Sequence, residues 1–140
     1  MSMKQFFTRE KANEGKKLML DNPDGTPSEH FIVIRSVDSD AHQEAAINRD
    51  RQYLKAAGAE SDEEKNQIIK SLRLDVLASL IVDWSLPEKC TPKNARLFLK
   101  EAPQIATEID RHSSNRSFFY ESSAIDSVPT SSSKDKTPEV

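Results

Sequence analysis

Apolar side chains recur at helical spacing in the middle of the chain, and the rest of the sequence is organised around this stretch. The stripe consists of residues spaced three or four apart, namely Ile69, Leu72, Val76 and Leu80. This spacing places them on one face of a helix. Further apolar residues lie outside the stripe, which indicates contacts on more than one side. The pattern predicts a central helix over residues 62–84, closed by Trp84, the only tryptophan.

Two prolines divide the following stretch into helices. Thr91 precedes Pro92, and a threonine hydroxyl is a good N-cap because it accepts a hydrogen bond from an unpaired first-turn N–H. Proline suits a first turn because its φ is already helical and its missing N–H is not needed there. We therefore predict helices over residues 92–101 and 103–120, the second beginning at Pro103.

Before the central helix the pattern changes from helical to extended. Pro23-Asp24-Gly25 lies between two apolar runs, and this order is typical of a turn because proline presets φ, aspartate hydrogen-bonds locally and glycine accepts a positive φ. The following run is rich in β-branched residues, which favours a strand. The sequence predicts a β-hairpin over residues 16–35. A structural hairpin is favoured, although an open hairpin edge is also a template for a partner strand.

The remaining segments complete the predicted domain organisation. Residues 1–13 are predicted to form an N-terminal arm or short helix, in which Phe6 and Phe7 cover an edge of the core. Asp38 and Ser39 offer N-caps to a charged helix over residues 41–57. A single α-rich domain is therefore expected over residues 14–121.

The composition changes after Glu121. Residues 122–140 are rich in Ser, Thr, Pro, Asp and Lys and lack the apolar surface that offsets the entropy of ordering. They are predicted to be a disordered tail. The fold class is thus α+β and mainly α, with an N-terminal β-hairpin packed on a bundle of about four helices.

Composition and charge narrow the functional classes. The 140 residues are 36% hydrophobic and 31% charged, with a net charge of −3, so no basic field for nucleic acid is indicated. No apolar run approaches the ~20 residues of a membrane span, and no signal-peptide core is seen. Cys90 is the only cysteine, which excludes an intrachain disulfide and indicates a reducing cytoplasm.

Candidate catalytic chemistry is absent from the sequence. His30, His42 and His112 lie on different predicted elements without metal-ligand spacing. Cys90 has no neighbouring base that would make it a nucleophile, and the three glycines form no phosphate-binding motif. We expect no catalytic residues, no cofactor and no metal, and therefore a protein that is not an enzyme.

The order of several weak motifs resembles that of the tail assembly chaperones of long-tailed, siphovirus-type bacteriophages. The likeness covers residues 18–119. It begins with the predicted hairpin and the Asp38-Ser39 helix start. It then continues through three proline- or aromatic-containing segments and a final aromatic one, namely Val82-Asp83-Trp84, Cys90-Thr91-Pro92-Lys93-Asn94-Ala95-Arg96-Leu97-Phe98-Leu99, Ala102-Pro103-Gln104-Ile105 and Asn115-Arg116-Ser117-Phe118-Phe119. In the family a tryptophan closes the core helix, a Thr/Ser-Pro-x-Asn box starts the next helix, and a proline opens the last one.

The resemblance implies a non-enzymatic function in virion assembly. Such a chaperone would bind and solubilise the tape measure protein, whose long helices expose apolar stripes, and would promote assembly of the tail tube protein around it. It would act in the host cell cytoplasm during infection and be absent from the mature virion, without contacts to nucleic acid or membrane. Self-association is left open. Trp84, Phe98, Phe118 and Phe119 are expected either to hold the fold together or to contact a partner.

Two other functions remain open from the sequence. One is a structural tail or head–tail connector protein that stays in the virion. The other is a bacterial regulator that binds DNA through its helices, although the missing basic helix face argues against it.

Overall fold

The computed structural model describes residues 2–58 and 61–120 of the chain. A short 3-10 turn, Met3–Phe6, precedes the regular elements. These are, in chain order, α1 (Arg9–Glu14), β1 (Lys16–Asp21), β2 (Pro27–Ile34), α2 (Asp40–Ala56), α3 (Asp62–Ala78), β3 (Ile81–Trp84), α4 (Pro92–Glu101), α5 (Pro103–Ser113) and α6 (Arg116–Tyr120). The protein is α+β and mainly α, as predicted. The predicted tail over residues 122–140 lies outside the described residues.

The predicted β-hairpin is confirmed as β1 and β2, which pair antiparallel with Leu18 opposite Ile32. In the turn, Asp24 accepts hydrogen bonds from the backbone N–H and the hydroxyl of Thr26, at 3.0 and 2.6 Å. Gly25 has φ +90°, a conformation that glycine adopts without steric cost. The local turn chemistry therefore determines the position of the hairpin.

The prediction of one central helix over residues 62–84 is wrong at its C-terminal end. Helix α3 stops at Ala78, and the chain turns into β3, which pairs antiparallel with β2 so that Trp84 lies opposite Ile32. Arg35 stabilises this corner, because its backbone N–H donates to the carbonyl of Leu80 at 2.6 Å and its guanidinium donates to the carbonyl of Ser79 at 2.9 Å. Carbonyls that would continue the helix are thereby occupied, and the sheet gains a third strand.

The predicted last helix, residues 103–120, is divided into α5 and α6. The Ser113 carbonyl accepts a hydrogen bond from the Val37 backbone N–H at 3.0 Å instead of from a helical N–H. The Ser113 side chain is fully buried and donates to the Asp110 carbonyl at 3.1 Å. The loop between β2 and α2 thus competes for the helix backbone, and the chain restarts as α6 at Arg116.

The N-terminal segment is a short helix, as one of the two alternatives predicted, but its aromatic residues do not cover the core. Phe6 and Phe7 are 73% and 65% exposed. The anchor of α1 is instead the fully buried Ala12, whose carbonyl accepts from the Ser36 N–H at 3.2 Å. The adjoining core edge is occupied by α6, whose Tyr120 hydroxyl donates to the Thr8 carbonyl at 2.6 Å.

The hydrophobic core lies between one face of the sheet and the helices α3 to α6. On β1 and in the second half of β2, residues that face the core alternate with more exposed ones. The buried strand residues are Leu18, Leu20, Ile32, Ile34, Ile81 and Trp84. Helix α2, predicted over residues 41–57, has no buried residue. Ser39 is its N-cap, and the Ser39 hydroxyl accepts a hydrogen bond from the His42 backbone N–H at 3.2 Å. The domain therefore has a compact core with one largely solvated helix at its side.

Candidate functional site

Trp84 is a core residue and not an exposed anchor. It ends β3 and is 8% exposed. Its indole Nε1 donates to the Glu88 carbonyl at 2.6 Å, which satisfies the polar atom of the buried ring. Phe98 of α4 meets the ring edge-on, at 5.5 Å between centroids and 73° between planes. Trp84 therefore joins the sheet, the loop after it and α4.

Phe118 and Phe119 form a second aromatic pair, with 5.1 Å between the ring centroids and 85° between the ring planes. Phe119 is buried in the core, whereas Phe118 is half-buried beneath Lys16. The Lys16 ammonium donates to the Phe118 carbonyl at 2.9 Å and lies 5.0 Å from its ring centroid. The four aromatic residues singled out from the sequence thus hold the fold together in two pairs, and no pair presents a fully exposed ring.

A groove with a volume of about 520 Å³ lies between α3, α4 and α5. This volume lies within the ~300–1,000 Å³ of typical ligand pockets. Its apolar lining comes from one face of each helix and consists of Leu74, Leu77, Leu99, Pro103 and Ala106. Leu77, Leu99 and Ala106 belong to the core itself. Because Leu77, Leu99 and Ala106 are at most 8% exposed, the packed core closes the bottom of the groove, and the exposed apolar surface comes from the half-buried Leu74 and the exposed Pro103.

Positive charge surrounds this apolar surface. The described residues that line the groove include Lys70, Arg73, Arg96 and Lys100, and none of these lining residues is an aspartate or glutamate. Arg96 is held in place from α3, because its guanidinium donates to the Ser71 carbonyl at 3.1 Å and pairs with Asp75 just outside the groove. This ion pair and hydrogen bond join α3 to α4 and keep the wall of the groove fixed.

This groove could not be predicted from the sequence, because no single segment of the chain contains it. Its walls come from residues 67–77, 96–100 and 103–107, and only the packing of three helices brings them together. A signal was present: Lys70 with Arg73, and Arg96 with Lys100, recur at helical spacing beside core leucines. That spacing does not predict which faces of the three helices pack against each other.

Other apolar side chains are exposed away from the groove. They lie in the N-terminal segment, on β1 and on α2, and include Met3, Phe6, Phe7, Met19, Ile47 and Leu54. Each is between 55% and 80% exposed. Exposed hydrophobic residues are common in soluble proteins and indicate no site by themselves. The groove differs because residues from three helices line one concave surface.

Two titratable side chains of the described residues have pKa values that are shifted mainly by burial. Burial, followed by the negative charge of Asp83, raises the pKa of the half-buried Cys90 thiol, which disfavours the nucleophilic thiolate. Burial lowers the pKa of His42 below its ordinary value. Within residues 2–58 and 61–120, no three His, Cys, Asp or Glu side chains cluster as a metal would require.

Comparisons with protein-family models, with curated proteins and with solved structures find no match to this chain. None of the described helices combines the length and the apolar character that crossing a membrane requires. The geometry of the domain is therefore the basis for its functional assignment, together with the motif order in its sequence.

Proposed function

We propose that this protein is a tail assembly chaperone of a long-tailed bacteriophage. It is a non-enzymatic protein that binds and solubilises the tape measure protein and promotes tail tube assembly in the host cell cytoplasm. The motif order between residues 18 and 119 supports the family. The groove between α3, α4 and α5 supports the mode of action.

The groove is the single observation that carries this proposal. Pro92 and Pro103, which are central to the resemblance, are the first residues of α4 and α5, and those helices form two of the three walls. An open apolar channel between helices is a known receptor for the apolar stripe of an amphipathic helix. Covering such stripes removes apolar surface from water, which opposes aggregation of a long helical client.

The proposal is tested by co-expression with fragments of a tape measure protein, which the proposal expects to be encoded near this gene. The wild-type protein should raise the soluble fraction of at least one fragment. Thr107 is an exposed groove residue of α5, so Thr107→Trp should fill the groove and abolish the increase. Gln104 is exposed on the same helix but does not line the groove, and Gln104→Trp should behave as wild type.

Unchanged solubility across fragments spanning the entire tape measure protein would refute the chaperone function. Mass spectrometry of purified virions separates it from the alternative of a tail or head–tail connector. A chaperone should be missing from the particles, whereas a connector should be present in a fixed copy number. Detection in fixed copies would replace the proposed function with the structural one.

A further inference from the structure

The charge of the groove is opposite to that of the whole chain. The protein carries a net charge of −3, yet its groove is lined by four basic residues and, among the described lining residues, by no acidic one. Of the nearby carboxylates, Asp75 pairs with Arg96 and so offsets the charge of one groove cation, and Glu108 pairs with Arg111. The groove is therefore a positive, apolar channel in an acidic protein.

Three of the four basic side chains, those of Lys70, Arg73 and Lys100, are available to form ion pairs with a ligand. Lys70 and Arg73 lie one turn apart on α3, and Lys100 follows the buried Leu99 on α4. All three are exposed, and none forms an ion pair with a described residue. Long basic side chains lie along apolar surface while their charged ends remain in water. They are placed to meet carboxylates at the border of an apolar ligand.

The dimensions of the groove fit a helix. On α3 the lining residues run from Gln67 to Leu77, about 15 Å at the ~1.5 Å rise per residue of a helix. This length accommodates apolar side chains of a ligand helix at positions i, i+4 and i+7. Cations on both α3 and α4 then border the two sides of such a ligand.

A nucleic acid fits the same surface poorly. None of the described residues lining the groove is aromatic, so the base-stacking platform typical of single-strand binding is missing. The basic side chains of the border can contact phosphates, but the aliphatic residues between them offer no hydrogen-bond partner to base edges. Apolar surface with a basic border corresponds to an acidic amphipathic helix instead.

We propose that the groove selects amphipathic helices whose apolar stripe is bordered by glutamate or aspartate. The proposal rests on the chaperone function and specifies it further, because it names the segments of the client that are bound. Helices bordered by lysine or arginine are repelled by Lys70, Arg73 and Lys100. The basic border gives specificity, and burial of the exposed apolar lining adds binding energy.

Two synthetic peptides test this selection on the full-length protein. Both are fluorescein-labelled 18-residue amphipathic helices with identical leucine stripes, one bordered by glutamates and the other by lysines. Fluorescence anisotropy at low salt should show that the glutamate peptide binds about tenfold more tightly, since two or three exposed ion pairs at about 0.2–1 kcal/mol each amount to roughly this factor. The preference should shrink at high salt.

Charge reversal in the groove provides the decisive variant. Lys70→Glu/Lys100→Glu should remove or invert the peptide preference. Arg51 and Lys55 are exposed on α2, away from the groove, so Arg51→Glu/Lys55→Glu changes the net charge equally and should keep the preference. Circular dichroism establishes that each variant is folded.

Three outcomes would overturn the proposal: equal binding of the two peptides, equal effects of both double variants, or tighter groove-dependent binding of a labelled single-stranded 30-nucleotide DNA. If co-expression raises the solubility of the tape measure protein while the peptides bind equally, the selection is refuted and the chaperone function stands. If the glutamate peptide is preferred but no tape measure fragment is solubilised, the groove is an acidic-helix site and the chaperone function fails.

Discussion

Replacing Trp84 by alanine should strongly destabilise the domain. A tryptophan buries about 150–250 Å², and Trp84 is only 8% exposed. At about 25 cal/mol per Å², removing most of that area costs about 4–5 kcal/mol, which agrees with the ~3–5 kcal/mol typical of buried aromatic residues truncated to alanine. A domain of this size has about 5–15 kcal/mol in total. The substitution therefore removes a large part of the stability.

Thermal unfolding followed by circular dichroism measures this effect, because the variant lacks the only tryptophan. A loss of about 4 kcal/mol should lower the midpoint by roughly 15–30 °C in a domain of about a hundred residues. Trp84→Phe keeps an aromatic ring beside Phe98 but leaves the Glu88 carbonyl without its Nε1–H donor. It should lose an intermediate amount, about 1–3 kcal/mol.

Leu97→Ala is the matched control on the neighbouring helix. Leu97 lies beside Phe98 on α4 but is 57% exposed, so its truncation should change the free energy of unfolding by about 0.5 kcal/mol or less. In the wild-type protein, tryptophan emission should be blue-shifted and protected from quenchers. A Trp84→Ala midpoint no lower than that of Leu97→Ala, or a red-shifted wild-type emission, would refute the core role assigned to Trp84.

Two further predictions concern stability. Gly15 has φ +83°, and an added Cβ would lie 2.6 Å from the Ile34 carbonyl oxygen, so Gly15→Ala should cost about 2–4 kcal/mol in urea unfolding. The matched Gly25→Ala, at φ +90° with open space around it, should cost only about 1 kcal/mol, and equal costs would contradict the steric argument. Burial lowers the pKa of His42, so the unfolded chain takes up the proton first as the pH falls. The free energy of unfolding should therefore decrease from about pH 6.5 downward, and His42→Gln should show a shallower decrease, whereas an identical slope would contradict this account.

The hairpin and helix starts were predictable because they depend on neighbours in sequence. Pro23-Asp24-Gly25 contains the chemistry of its turn, and Ser39 and Thr91 accept hydrogen bonds from the first turns of their own helices, at 3.2 and 3.1 Å. Such interactions extend over three or four residues and need no tertiary contact. For that reason their positions could be inferred from the sequence.

The third strand was not predictable in the same way. Val76, Leu80 and Trp84 continue the helical spacing through the end of α3, and neither glycine nor proline marks the turn. Ile81 and Val82 are β-branched, but a four-residue strand becomes stable only when β2 is beside it. The pairing of β3 with β2 therefore determines the structure here, although the spacing of the apolar residues favours a helix. The groove escaped prediction for a related reason, since it requires the relative placement of three helices.

Strands β2 and β3 are joined by residues 35–80, whereas β1 and β2 are joined by residues 22–26. Closing the longer loop costs more chain entropy, so contacts of high sequence separation generally form later during folding. We expect the hairpin to precede β3, and Trp84 to become buried only when the longer loop closes. During synthesis on the ribosome, the apolar edge of β2 beside Ile32 stays open until Trp84 has emerged. In the order of folding, β3 therefore acts as the cover that protects this edge from pairing with another chain.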